Sequence, residues 1–150
     1  MLTRNGRALL VINNSASRPT QGKWRKNDGN YDFFSSGSSV AIMCSSMKLY
    51  VGTGTSEVKS SDYAMTNRNA GLTLLNRTGT NGDRQINPDN DFIGIFTATY
   101  KNDTNADISV SEVGLCSEAE NWYVLMAREV LDAPIVIAPG ETYTFSMYIG

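Results

Sequence analysis

The sequence predicts an all-β protein folded as one antiparallel β-sandwich of the jelly-roll kind, with an extended or loop-rich N-terminal region. Apolar residues recur mostly at every second position, which is the period of a half-buried strand. The apolar runs are separated by Gly, Asn, Asp and Ser, which are turn residues, and helical patterns are scarce. Many short strands joined by such turns are typical of sandwiches and jelly rolls.

The chain has 150 residues, the size of one ordinary domain, so we predict a single domain over residues 1–150. Within it, about residues 1–38 are polar and lack an evident core, which indicates a partly extended arm. The aromatic residues of this region either fold inward or anchor the arm on another subunit, and both alternatives stay open. They are Trp24, Tyr31, Phe33 and Phe34.

The period-two pattern places the strands in order along the chain. They are predicted at 8–13, 39–44, 48–51, 72–75, 92–100, 108–115, 122–127, 135–137 and 142–149. Residues 76–90, NRTGTNGDRQINPDN, contain Asn-Gly and Asn-Pro steps and almost no apolar side chain, so they are predicted to form an exposed loop.

Two strands of the second half show the alternation most clearly. In FIGIFTATY the residues predicted to share one face are Phe92, Gly94, Phe96, Ala98 and Tyr100. In TYTFSMYI the corresponding residues are Tyr143, Phe145, Met147 and Ile149. The dipeptide PG at 139–140 is predicted to be a tight turn, because Pro restricts φ and Gly accepts a positive φ.

The net charge and the length of the apolar runs limit the classes of partner that the chain is expected to have. Thirteen Lys and Arg against 15 Asp and Glu give a formal net charge of −2, so no general attraction to nucleic acid or to an anionic membrane is expected. The basic cluster Lys23, Arg25 and Lys26 is interpreted as a solvated loop. The apolar run 8–12 is too short for a signal peptide or a membrane span.

Cys44 and Cys116 both lie in apolar runs, which favours buried free thiols over a disulfide framework. We therefore expect synthesis in a reducing cytosol.

The absence of histidine restricts the chemistry. It removes Ser-His and Cys-His nucleophile pairs, imidazole bases and histidine-containing zinc sites, and two distant cysteines cannot form a structural zinc site alone. A glycosidase-like pair of carboxylates stays open, because sequence does not show the separation that such a pair needs. The sequence predicts no catalytic residue, no metal site and no cofactor, hence a protein that is not an enzyme.

Two acidic stretches have the alternating oxygen ligands of a calcium loop, Asp28-Gly-Asn30-Tyr-Asp32 and Asn87-Pro-Asp89-Asn-Asp91. Each is followed by Phe where an EF-hand loop needs Gly, and neither has Glu at the twelfth position. Asp and Asn are also turn residues. The turn interpretation is therefore favoured, with a calcium-dependent binding domain as an alternative.

The segment LYVGTGTSEVKSSDYAM, residues 49–65, raises the question of phosphate binding. A Walker loop would need Gly-Lys-Ser/Thr after four intervening residues, and a dinucleotide fingerprint would need a third Gly opening a helix. Gly52-Thr53-Gly54-Thr55 supplies neither. The glycines are therefore predicted to serve a chain reversal or a bulge.

The same segment resembles one that recurs in virion proteins of tailed bacteriophages, where VGTGT is followed a few residues later by a DYAL-like stretch. The second half of the chain is similar to such proteins in TATYKNDTNADISVSEVGLC, WYVLMAREVL and PIVIAPGETYTFSMYI. The resembling segments cover about residues 48–65 and 92–149. No site residue is carried over by the resemblance.

The resemblance implies a structural component of a phage particle, made in the host bacterial cytoplasm and located in the virion, as a capsid decoration or a neck or tail protein. Its expected partners are further copies of itself and other virion proteins, such as the major capsid protein. The alternative is a carbohydrate-binding sandwich module used in host attachment. Its stacking platforms would be Trp24, Tyr31, Trp122 and Tyr123, although aromatics in β proteins more often lie in the core.

Overall fold

The computed structural model describes residues 1, 21–35, 47–77, 83–86, 92–119 and 122–149. Nine strands lie in this described part, and no helix does, which confirms the all-β prediction. The strands are β1 Gln21–Arg25, β2 Tyr31–Ser35, β3 Met47–Gly52, β4 Thr73–Arg77, β5 Asp83–Ile86, β6 Phe92–Lys101, β7 Ile108–Ala119, β8 Trp122–Ile137 and β9 Thr142–Ile149. Within the same ranges, no helix is long and apolar enough to cross a membrane.

The strands form two facing antiparallel sheets and a separate hairpin. In the first sheet β7 lies between β3 and β8. In the second sheet β6 is central and pairs with β9 along one edge. Along its other edge β6 pairs with β4 and β5, which occupy successive halves of the strand. Within the described ranges, β1 and β2 pair only with each other.

One apolar core fills the space between the two sheets, so the predicted antiparallel sandwich is confirmed. It is built by alternate residues of β3, β6, β7, β8 and β9, as expected when one face of each strand is buried. The strand residues of this core are Leu49, Val51, Phe96, Ala98, Tyr100, Val110, Val113, Leu115, Ala127, Ile137, Phe145 and Met147. Tyr143, predicted to share their face, is 41% exposed, and its ring packs against Phe145 with centroids 4.7 Å apart.

β8 is one strand where the sequence predicted two, at 122–127 and 135–137. Its register with β7 shifts between Val110 and Glu112, and the extra residues on β8 include Pro134. Proline cannot donate a ladder hydrogen bond, so it is tolerated at such irregularities. Pro134 and the polar residues between the two predicted strands therefore mark a shift in the register of β8 with β7, and β8 continues through them as one strand.

A further strand arises where the sequence predicted a loop. β5, Asp83–Ile86, lies inside the predicted loop 76–90, which also contains the end of β4. The sequence DRQI has no apolar alternation, and its strand conformation comes from pairing with the edge of β6. The prediction of a wholly irregular loop was therefore wrong at this strand.

The hairpin β1–β2 lies inside the predicted arm, residues 1–38. Its turn is closed by Asp28, whose Oδ1 accepts a hydrogen bond from the Asn30 amide at 2.8 Å, and by Gly29 at φ 85°. The Asn27 amide at the tip donates to the Tyr123 carbonyl of β8, and the Tyr123 amide donates to Asn27 Oδ1, both at 3.0 Å. The predicted strands 8–13 and 39–44 lie outside the described residues.

Candidate functional site

A long irregular segment, residues 53–72, connects β3 to β4 across the outer face of the first sheet. We call it the covering loop. Loops of this length without secondary structure are uncommon inside a compact domain and are often functional. The covering loop is the place where the GTGT and DYAM motifs of the sequence meet the sheet, and so it is the candidate site.

A second apolar cluster attaches the covering loop to the sheet. Met65 packs there with four residues of the outer face, and its amide donates to the Tyr123 hydroxyl at 3.0 Å. A Cβ on Gly114 would lie 2.5 Å from the Met65 sulfur, so the glycine makes room for the methionine. The other members of the cluster are Tyr50, Cys116, Tyr123 and Leu125.

Beside Met65, a charged network is buried beneath the loop. Glu112 is fully buried and Arg128 is 3% exposed. Arg128 Nε donates to Glu112 Oε2 at 2.6 Å, and its Nη1 donates to Asp62 Oδ2 at 2.9 Å. The other Glu112 oxygen accepts from the Thr66 amide at 2.7 Å. Each charge therefore has a partner, as burial requires.

The glycines of GTGT lie against this buried carboxylate. A Cβ on Gly52 would be 2.5 Å from Glu112 Oε1, and a Cβ on Gly54 would be 2.6 Å from Oε2. Real Cβ atoms do not approach oxygen so closely. The motif thus encloses a negative charge, which is the opposite of what a phosphate-binding loop presents.

Cations and aromatic rings alternate at the far end of the loop. Arg77 lies over the Tyr50 ring at 4.0 Å. Arg68 lies over both Tyr50, at 4.5 Å, and Tyr123, at 4.3 Å. Such contacts strengthen when they are shielded from water. We call these four residues the cation ladder, and it ties the loop to β3 and β8.

Glu118 completes the charge balance of the cation ladder. It accepts from Arg68 at 2.8 Å and from Lys48 at 3.0 Å. Burial opposes its ionisation, but the hydrogen bond from Tyr50 and the two cations outweigh burial and lower the pKa of the Glu118 carboxyl. Burial also raises the pKa of the Tyr50 hydroxyl, which remains protonated at neutral pH.

The end of the covering loop adopts a left-handed turn. Asn67, Asn69 and Ala70 have φ values of 46°, 73° and 53°, and Gly71 follows at 83°. Asparagine and glycine tolerate this region, whereas alanine does so at a cost. The Asn69 amide donates to the Val51 carbonyl at 2.8 Å. The turn therefore caps the outer edge of β3.

A cleft of about 330 Å³ opens between the covering loop and the β1–β2 hairpin. Arg25 of the hairpin lies over the Tyr63 ring at 3.8 Å, and Ser56, Ser61 and Asp62 line the cleft from the loop. Asp62 is already bound to Arg128. The cleft offers hydrogen-bonding groups, and the one carboxylate among its described lining residues is held in that ion pair.

The candidate binding residues predicted from the sequence differ in where the structure places them. Tyr123 is 6% exposed and belongs to the second cluster, so it is not available as a stacking platform. The side chains of Trp24, Tyr31 and Trp122 are outside the described part of the chain, as are residues 87–91. Among the described residues, no group of three potential metal ligands is found.

Cys116 is a free thiol that is fully buried, as the sequence predicted. Burial raises the pKa of this thiol, so it stays protonated and unreactive at neutral pH. Cys44 lies outside the described residues.

The buried pair Glu112–Arg128 was not recognised from sequence. Charged residues at alternate positions of a strand are normally read as solvent-facing. The available signal was the apolar neighbours of both residues, in SEVGLC and LMAREV.

Comparison with known proteins gives no further assignment. No family model matches the chain, and neither a curated protein nor a solved structure matches it significantly.

Proposed function

We propose that the chain is a structural component of a tailed bacteriophage particle, held there by symmetric subunit contacts as a capsid decoration or a neck or tail protein. Two grounds support the proposal. The first is the resemblance of residues 48–65 and 92–149 to virion proteins of tailed phages. The second is the distribution of exposed apolar side chains on the sandwich.

The apolar distribution is the observation that carries the proposal. Apart from Met1 and Val136, the exposed large apolar residues of the described part all lie on β4 and β9, the outer strands of the second sheet. Tyr148 is 68% exposed and Leu75 is 53% exposed. Side chains of this size concentrated on one sheet are typical of surfaces that contact another protein. The remaining two are Leu74 and Tyr143.

The covering loop supports a structural role in a different way. Two of its charged residues, Asp62 and Arg68, are bound to the sheet, the first through Arg128 and the second through the cation ladder. A loop held by buried ion pairs keeps one shape, which suits a repeated contact surface better than a mobile lid would.

The copy number of the chain in purified particles tests the proposal. Quantitative mass spectrometry against the major capsid protein should give a fixed stoichiometry. Hundreds of copies would place the chain on the capsid, and about six to a few tens would place it in the neck or tail, because closed rings use small cyclic symmetries.

Two results would count against the proposal. One is absence of the chain from washed particles together with turnover of some substrate. The other is specific binding of the isolated chain to immobilised glycans with no incorporation into particles, which would favour the carbohydrate-binding alternative.

A further inference from the structure

Three of the sheet edges differ in how they are protected. An edge strand presents unpaired amides and carbonyls, and proteins commonly block such edges with charge, proline, bulges or covering segments. The edges compared are those of β3, β8 and β9.

The β3 edge is blocked by groups of its own chain. The Val51 carbonyl accepts from the Asn69 amide, and the Leu49 carbonyl accepts from Arg77 Nε at 3.1 Å. The Thr53 amide, just past the strand, donates to the Thr66 carbonyl at 2.9 Å. A further strand therefore cannot pair with β3.

The β8 edge is blocked in several places along its length. Asn27 is bound to Tyr123, and the backbone of Met1 exchanges two hydrogen bonds with Arg128, at 2.8 and 3.0 Å. Farther along, Asp132 and Pro134 interrupt the regular ladder. These are the usual devices against edge-to-edge association.

β9 carries none of these devices. Its eight residues, TYTFSMYI, contain no charge and no proline, and its pairing with β6 runs from Thr142 to Ile149 without a register shift. Within the described residues, no segment pairs with its outer edge. Tyr143 and Tyr148, 41% and 68% exposed, lie near its two ends.

We propose that the outer edge of β9 pairs antiparallel with β9 of a second copy of this chain, joining two second sheets into one continuous sheet. The strand is suited to its own copy because an uncharged strand meets no like charge when it is repeated by a two-fold axis. Tyr143 and Tyr148 lie near opposite ends of β9 and on opposite faces, so each face of the joined sheet carries an exposed aromatic side chain from both copies beside the contact.

The contact is expected to be weak for an isolated pair of chains. One strand edge buries less than the roughly 800 Å² per partner that stable dimers use. In a particle, the same contact is reinforced by the other contacts of the assembly. The inference rests on the proposed function for its setting, but the pairing itself is measurable on the isolated chain.

The test compares the full-length chain with the variant Ser146→Lys. Ser146 is exposed in the middle of β9, so the lysine leaves the core intact and places two cations close together across the two-fold axis. Sedimentation velocity from low micromolar to near-millimolar concentration should show a dimer for the unmodified chain. The variant should have a dissociation constant raised by at least about tenfold.

Val136→Lys is the matched control. It adds the same charge to an exposed position of the β8 edge and removes an exposed apolar side chain. It should dimerise like the unmodified chain, and all three proteins should unfold at the same temperature within a few degrees. Hydrogen exchange of the β9 amides should slow as concentration rises, whereas exchange in β8 should not change.

Three outcomes would overturn the inference. They are a chain that stays monomeric, a dimer that Ser146→Lys leaves intact, and β9 amides protected to the same extent at every concentration, which would mean that the edge is covered within one chain. A dimer formed through β9 by a chain that is absent from phage particles would contradict the proposed function and leave the pairing standing. If the chain shows no β9 pairing and Ser146→Lys leaves its incorporation into particles unaffected, the pairing is contradicted and the proposed function stands.

Discussion

Gly52 and Gly54 lie where no side chain fits, because the Glu112 carboxylate occupies the space beside both α-carbons. The carboxylate cannot move aside easily, since each of its oxygens is bound, one to the Thr66 amide and one to Arg128. Packing against this carboxylate therefore explains the glycines of a motif that looks like a nucleotide-binding loop.

Gly54→Ala is expected to destabilise the protein by about 1–3 kcal/mol, because the added methyl group overlaps a hydrogen-bonded carboxylate that has no room to relax. Urea denaturation followed by tryptophan fluorescence measures the change. The exposed neighbour Thr55 gives the control, since Thr55→Ala should change stability by less than about 0.5 kcal/mol. Equal stability of the Gly54→Ala variant and the unmodified protein would show that the carboxylate does move.

Glu118 provides a prediction about pH. Its pKa is lowered in the folded protein from the usual 4.5, so the carboxylate stabilises the fold fully above that value. The contribution is lost as the pH falls through the lower, folded pKa. Glu118→Gln should therefore be less stable than the unmodified protein at pH 7, and the difference should shrink steadily below about pH 4.

Urea midpoints of both proteins across the acid range measure this dependence. A difference that stays constant down to the most acidic pH at which both proteins fold would show that the Glu118 charge does not stabilise the cation ladder.

The covering loop illustrates how an element without regular hydrogen bonding is held in one conformation. Met65 fills a gap left by Gly114, Arg128 reaches Asp62 and the Ser56 carbonyl, and the end of the loop caps β3. These contacts join the loop to all three strands of the first sheet. The loop is thus a layer of the fold, outside the sandwich core.

Arg128→Met is expected to destabilise the protein by about 3–5 kcal/mol, because Glu112 would remain buried without a counter-charge. Hydrogen exchange should rise mainly in residues 53–66, since Arg128 links the sheet to this part of the loop. The double variant Glu112→Gln, Arg128→Met is the control and should recover part of the loss, because no unpaired charge remains. A double variant as unstable as the sum of both single changes would contradict this account.

In the molecule as far as the structure describes it, two sheets enclose one apolar core, and a second, smaller cluster lies between the first sheet and the covering loop. Cys116 belongs to the second cluster and is fully buried there. Its accessibility therefore reports whether the loop layer remains closed.

The Cys116 thiol should not react with a thiol reagent in the native protein, because the group is buried and its pKa is raised. After unfolding without reductant, titration should find two free thiols, from Cys44 and Cys116. Rapid reaction of Cys116 under native conditions would show that the covering loop opens. A variant carrying Cys44→Ser assigns the reaction to Cys116.

Local alternation of apolar and polar residues was enough to predict most of the sandwich. β9 was predicted with its observed bounds, and β3, β4, β6 and β7 were predicted to within a few residues. The inward faces of β6 and β9 followed from the same alternation, because a strand buries one face whatever its partner is. The sequence did not predict β5 or the β1–β2 hairpin, because their short sequences show no regular apolar alternation and become strands through pairing and turn closure.

The candidate site depended on contacts between distant parts of the chain. The Thr66 amide and Glu112 are separated by 46 positions, and Asp62 and Arg128 by 66, so no local pattern connects them. Strand order brings these residues together under the covering loop, and burial then determines that the charges must pair. The amino-acid pattern alone thus decided where most of the strands run and which faces are apolar. The packing of the loop on the sheet decided why GTGT contains glycine, because in the folded protein a carboxylate occupies the space that a side chain would need.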